Sequence, residues 1–249
     1  MSDTPSWVEF GERAAYLPAA DAVVVADFHV GRDAASNVAL PLGEHDDLVD
    51  RLDELLASFD PATVVIAGDL LHVHGDLPDG TRETVEAVQS SVSDADAALR
   101  VVRGNHDTML DAVGIDGEDA VELADGTAVC HGHEDPPVDA DRYVVGHEHP
   151  AVEIEGTRHP CFLHGPKQHD GADVLVVPAF TRLAAGTLVN GLRRDDSLSS
   201  MLSNPDGFRP VVVSEGETLA FPALATSAAC SESGGRAPGT RRPLGPRRP

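Results

Sequence analysis

Five short apolar runs in this 249-residue chain end in side chains that bind metals or carry protons. Asp27 and His29 follow "VVVA", and Asp69 follows "VVIAG". Asn105, His106 and Asp107 follow "RVVRG". His131 and His133 follow "TAVC", and His147 and His149 follow "YVVG". Imidazole, carboxylate and amide oxygen together suit borderline divalent ions such as Mn, Fe or Zn. The set has no thiolate, which argues against a purely structural zinc. A carboxylate has two oxygens, so one Asp can bridge two ions. Two ions about 3.5 to 4 Å apart can share a hydroxide and clamp both oxygens of an in-line displacement at phosphorus. Each part alone has a plainer reading. A lone histidine pair is an ordinary surface or core feature, Asp69 could be a cap, and "GNHD" could be a tight turn. The five together favour one metal centre.

Such residues can meet only if the runs are neighbouring strands whose carboxyl ends open on one crevice. The runs 21–27, 63–69, 99–107, 126–133, 142–149 and 173–180 read as strands. Between the first two, Leu48, Leu52, Leu55, Leu56 and Phe59 recur at helical spacing and predict an amphipathic helix. Residues 79–92 predict a second helix, with Thr81 as its cap. Strand-helix-strand order implies an α/β arrangement. The later strands follow closely without helices between them, which predicts an antiparallel or mixed second sheet, closed by "TLVNGL" and "RPVVVSE". One domain is expected over residues 1–226. Residues 227–249 hold almost nothing to bury and read as a disordered Arg/Pro/Gly-rich tail. Five arginines against one glutamate give that tail a charge of +4 and leave −28 for the remainder. It is either a solvated extension or a basic arm for nucleic acid or for the acidic body.

Asp plus Glu number 42 against 18 Lys plus Arg, and Lys167 is the only lysine. This acidic, lysine-poor balance with 41% apolar residues predicts a folded, halophilic protein in concentrated salt, where self-repulsion is screened. The acidity disfavours a generic polyanion-binding surface, an argument that molar salt weakens. Three cysteines without CxxC spacing argue against a disulfide framework or a structural zinc knuckle. No stretch has the roughly 20 apolar residues of a membrane span, and the N-terminal segment is not a secretory signal. A cytoplasmic protein with no membrane partner is expected.

The blocks "DFH", "GD", "GNHD", "HGH" and "GHEH", spanning residues 27–149, resemble the calcineurin-like metallophosphoesterase superfamily. The resemblance implies a metallophosphoesterase-like fold, a four-layer α-β-β-α sandwich of two mixed sheets flanked by helices. It implies two divalent ions, Mn before Fe, Zn or Ni. Asp27, His29 and His149 would hold the first ion, and Asn105, His131 and His147 the second, with Asp69 between them. His106 would stabilise or protonate the leaving oxygen, oriented by Asp107. His72 and His133 are candidates for substrate contact, His72 ahead of His74. Further blocks, among them "GDLLH", "PCFL" and "LVVPAFTRLAAGTLVN", resemble SbcD-related archaeal phosphoesterases and the PdeM-type enzymes encoded beside DNA ligases or helicases. That narrower likeness implies endonuclease-like cleavage of DNA phosphodiesters in repair, with association to a ligase or helicase and a homodimer as further expectations. A small-molecule or nucleotide phosphodiesterase or phosphatase is the first alternative, and a non-catalytic repair-complex subunit the second. The family's glycine-rich "PAFG" reads "PAFTRLAAG" here, so a different loop is expected after Phe180.

Overall fold

The apolar runs become strands that stop one to three residues short of the chemical side chains. In the computed structural model, residues 4–33, 43–72 and 75–225 are described. The expected tail 227–249 and His74 lie outside the described residues. The first sheet contains β1 (Glu9–Gly11), β2 (Ala14–Leu17), β3 (Ala22–Val25), β4 (Thr63–Ile66), β5 (Ala98–Val102) and β6 (Gly117–Glu118), in that order. From β3 to β6 the pairing is parallel, and β1 and β2 add an antiparallel edge. Helices α1 (Glu44–Phe59) and α2 (Thr81–Asp94) make the first two crossovers of this parallel order, and a short 3-10 turn at Leu110–Val113 lies in the third.

The chain continues through β7 (Val121–Glu122), β8 (Thr127–Cys130), β9 (Arg142–Val145), β10 (Pro150–Ile154) and β11 (Thr157–Pro160). It ends with β12 (Phe162–His169), β13 (Ala172–Val176), β14 (Thr187–Leu188), β15 (Arg209–Ser214) and β16 (Glu217–Ala220). The second sheet runs β16-β15-β12-β13-β9-β8-β7. Only its β8-β9-β13 centre is parallel. A small third sheet runs β11-β10-β14.

The period of two along each strand sorts side chains into layers. Val23 and Val25 face the leucines of α1, while Val24 faces the other sheet. Val144 of β9 joins that inter-sheet core, while Tyr143 and Val145 pack on the far side. The expected α/β class with two mixed sheets is therefore what the chain adopts. One layer is made differently. Among the described residues both long helices lie on the first sheet, and the outer face of the second is covered by Val152 of the small sheet and by Leu192, Met201 and Phe208 of irregular segments. Pro178, Gly186, Gly191, Pro205 and Gly207 interrupt that region too often for a helix to propagate.

Two local expectations are corrected. Thr81 is not a cap. Gly80 caps α2 in a left-handed conformation without a side-chain bond, and Thr81 is the first helical residue, its hydroxyl buried against Gly31. "TLVNGL" does not close the second sheet, because β14 pairs parallel with β10 in the small one. "RPVVVSE" does belong to the second sheet, beside β12. No helix among the described residues is long and apolar enough to cross a membrane.

Candidate metal centre

Asp27, His29, Asp69, His147 and His149 all sit at positive φ, between 48° and 68°. Left-handed backbone costs a non-glycine residue roughly 1 to 2 kcal/mol, so the surrounding structure must over-determine it. It does so by tying each motif to the next. The Asp27 amide donates to the Gly68 carbonyl at 3.0 Å, and the His29 amide donates to the Asp69 carbonyl at 2.9 Å. The His147 amide donates to Asp27 Oδ2 at 3.0 Å, and the His106 amide to Asp69 Oδ1 at 2.9 Å. Two glycines permit this closeness. A Cβ on Gly68, itself at φ 87°, would meet the His131 ring at 2.3 Å, and one on Gly146 would meet Asp27 Oδ2 at 2.8 Å. In "DFH" the two outer residues face the crevice while Phe28 turns into the core and stacks on Phe180, ring centroids 4.5 Å apart.

The predicted residues converge in two groups. In the first, His149 Nε2 lies 3.2 Å from both Asp27 Oδ1 and His29 Nε2. In the second, His131 Nε2 lies 3.2 Å from Asn105 Oδ1, 3.2 Å from His147 Nδ1 and 3.4 Å from Asp69 Oδ2. Asp69 Oδ2 is also 3.7 Å from His29 Nε2, so this carboxylate faces both groups. Donor atoms about 2.1 Å from one ion, at octahedral to tetrahedral angles, are about 3.0 to 3.4 Å apart. The observed spacing fits ion coordination, and in the metal-free protein the same nitrogen pairs can share a ring N–H hydrogen bond. His131 Nδ1 donates to the Ala67 carbonyl at 2.9 Å, which leaves Nε2 to face the group.

The metal-free electrostatics divide the imidazoles. Burial pushes the His29 pKa down to about 3, beyond what Asp27 and Asp69 restore. His29 is thus neutral, and its approach to Asp69 is no ion pair. Burial likewise lowers His147, to about 4, aided by His131. Burial opposes a charge on His131 too, but its hydrogen bond to Asp69 and the charges of Asp27 and Asp69 raise it to about 9. Asp69 correspondingly stays below the usual carboxylate range, because His131 outweighs the burial that would raise it.

Four further predicted residues surround these groups. His72 Nδ1 lies 3.2 Å from His29 Nδ1, behind the metal-facing edge of that ring, and its own ring stacks on His106 at 5.2 Å. His29, His72 and His106 thus form a third cluster, with ring nitrogens within 4.8 Å of one another. Asp107 is buried, and its carboxylate accepts from the amides of Leu70, Leu71 and Gly104 at 3.3, 2.9 and 2.9 Å. Burial outweighs those amides and lifts its pKa to about 6. These bonds brace the loop after Asp69 against the loop of Asn105. His133 is half-buried at the second group, its ring 5.2 Å from that of His131, and burial and His131 depress its pKa.

The sequence reading missed two carboxylates. Glu148, between the two ligand histidines, is fully buried. Its Oε2 accepts from the Ser197 hydroxyl and from the amides of Leu198 and Ser199, at 2.8 to 3.0 Å. Ser199 in turn donates to the Gly132 carbonyl at 2.8 Å, so Glu148 clips segment 197–199 beneath the "HGH" turn. Glu44, in the first turn of α1, accepts from the amides of Gly31, Arg32 and Asp33 and holds the loop after His29. Glu148 could have been flagged by its place between two motif histidines, whereas no sequence signal marked Glu44.

Comparison with known proteins agrees with this geometry. A solved structure titled as Pseudomonas putida nuclease MPE is 24% identical, with a TM-score of 0.57 over 84% of this chain and 91% of that one. Another, titled as Yfce, a phosphoesterase from E. coli, is 19% identical, with a TM-score of 0.44 over 82% of this chain and 98% of that one. The first likeness shows a shared fold. No curated protein sequence matches the chain. The sequence profile described as calcineurin-like phosphoesterase matches residues 21–174, which include all five motifs. The chain therefore belongs to the calcineurin-like phosphoesterase family.

Proposed function

We propose that the centre holds two divalent cations of the manganese type and hydrolyses phosphodiester bonds, with DNA as substrate. Asp27, His29 and His149 hold one ion, and Asn105, His131 and His147 hold the other, with Asp69 reaching both. The observation that carries the reading is this convergence of two donor groups on one carboxylate. Bound there, the ions supply a nucleophilic water at neutral pH and neutralise the phosphoryl oxygens. The protein's own groups do the rest. His106, fixed through its amide on Asp69 and stacked on His72, gives its proton to the leaving oxygen. His72 sets the tilt of His29, and His133 contacts the phosphate from the other side. Support for DNA comes from the narrower motif resemblance and from the arginine-rich tail of the sequence.

The reading is tested by supplying Mn to the metal-free protein in high-KCl buffer. Plasmid, oligonucleotides and bis(p-nitrophenyl) phosphate are then compared as substrates. Metal-dependent nicking and oligonucleotide cleavage are expected. His106→Ala should lower turnover by roughly 10² to 10⁴ while two ions stay bound. Ion loss in that variant removes the proton-donor role. The net charge of −24 favours a second reading, a small-molecule phosphodiesterase. Fast turnover of the small ester with no nicking at any salt would establish that reading in place of DNA.

A further inference from the structure

Two cavities border the metal centre, and their linings carry opposite charge. One, of about 430 Å³, opens beside His131 and His133 and is lined by Asp119, Glu134 and Asp135 with Arg103 as its one arginine. The other, of about 200 Å³, opens beside His149 and is lined by Arg13, Arg158 and Arg182 with no acidic residue. The whole chain has 18 strong cations against 42 acids, so three arginines converging on one small cleft is contrary to its composition.

The three arginines are not equivalent. Arg13 is spent on structure, its Nη1 donating to the Ala179 and Thr181 carbonyls at 2.7 Å each. Arg182 is paired with Glu12 and Asp47 at 2.7 and 2.9 Å. Arg158 is exposed, has no ion-pair partner within 4 Å among the described residues, and shows one long bond, 3.5 Å, to the Gly186 carbonyl. It stands on β11, whose partner β10 starts directly after His149. Arg32 also bears electrostatically on His149. A cationic cleft joined to a metal ligand attracts an anion carried on the same molecule as the scissile group.

We infer that this cleft seats a second phosphate, adjacent to the scissile one and on the His149 side only, with Arg158 as its main contact. The substrate is then a molecule with at least two phosphates. This rests on the phosphodiester reading of the centre and adds a direction to it, because the acidic cavity opposite repels an anion placed there.

The test uses the metal-loaded full chain and three substrates sharing one scissile diester: TpT, pTpT and TpTp. One of the two phosphorylated substrates should show a kcat/KM about 10- to 100-fold above TpT, the range of one charge-assisted contact, and the other should show no gain. Arg158→Ala should bring the favoured ratio toward one, and Arg158→Glu should invert it. TpTpT separates the sources. A gain there assigns the cleft to a neighbouring diester of a polynucleotide, and a gain with a terminal phosphate alone assigns it to a chain end. Equal gains on both sides, no gain on either, or a gain that survives both substitutions overturns the inference. Binding of a hydrolysis-resistant phosphorothioate trinucleotide is read in parallel. Replacing Arg158 by Ala should weaken it and lower its salt slope by about 0.7. That loss without hydrolysis of any ester sinks the phosphoesterase reading and leaves the cleft standing. Unchanged binding and slope sink the cleft alone.

Discussion

The two flanks of the candidate metal centre share one carboxylate, Asp69, which faces both groups, and little else. On the His149 flank His29 is neutral, Asp27 raises the pKa of His149 against its burial, and the cavity is cationic. On the His131 flank the pKa of His131 is raised to about 9, and the cavity is acidic. Net charge therefore says little about the potential a substrate meets. Coulomb energy falls with distance and is screened within about 10 Å at 0.1 M salt, so a few placed side chains outweigh a distant excess.

The comparison can be broken most severely at the residue common to both flanks. Asp69→Asn should reduce activity at least about 10³-fold and weaken both ion sites together, as read by metal analysis after gel filtration. Retention of two ions with normal turnover would remove Asp69 from the bridge. His72→Ala should act on one flank only. Losing the partner that orients His29 should weaken one ion by about 10- to 100-fold and spare the other, which a two-site calorimetric titration resolves.

Acidity sharpens the contrast. Below about pH 9 the proton on His131 must leave before an ion binds there. His149, raised by Asp27 against its burial, also holds its proton above the usual imidazole range, whereas His29 and His147 have none to release above about pH 4. Affinity at the His131 flank should rise about tenfold per pH unit between 7 and 9 and level off above, with about one proton released. A pH-independent titration contradicts that assignment. The mildest change is Glu148→Gln. It keeps the shape, but its new amide hydrogens face the buried Oε1 position, which has no partner. A cost of about 1 to 3 kcal/mol is expected, or a Tm lower by roughly 2 to 10 °C. Faster hydrogen exchange should appear in residues 197–201 and not around Arg158.

Legibility followed the range of the interactions. "DFH", "GD", "GNHD", "HGH" and "GHEH" were readable because each is local, an apolar strand run followed at once by chemical residues. Helix α1 was readable because its leucines repeat every turn. Thr81 was misread because capping depends on the dihedrals of Gly80 and on Gly31 packing over the hydroxyl, neither visible in "DGTRET". The small β11-β10-β14 sheet was missed because two residues of β14 carry no periodicity. Glu148 looked like a spacer between histidines, since its partners lie 49 to 51 residues later.

Residue type and strand-end placement thus settle the kind of chemistry open to this chain, because side-chain donors and alternation along a strand are local properties. How those donors divide into two groups around Asp69 depends on which strands are neighbours, and strand order is a non-local outcome of packing. The same holds for charge. Arg13, Arg158 and Arg182 are scattered singly through an acidic sequence, and only the fold gathers the β1–β2 turn, β11 and the segment after Phe180 beside His149.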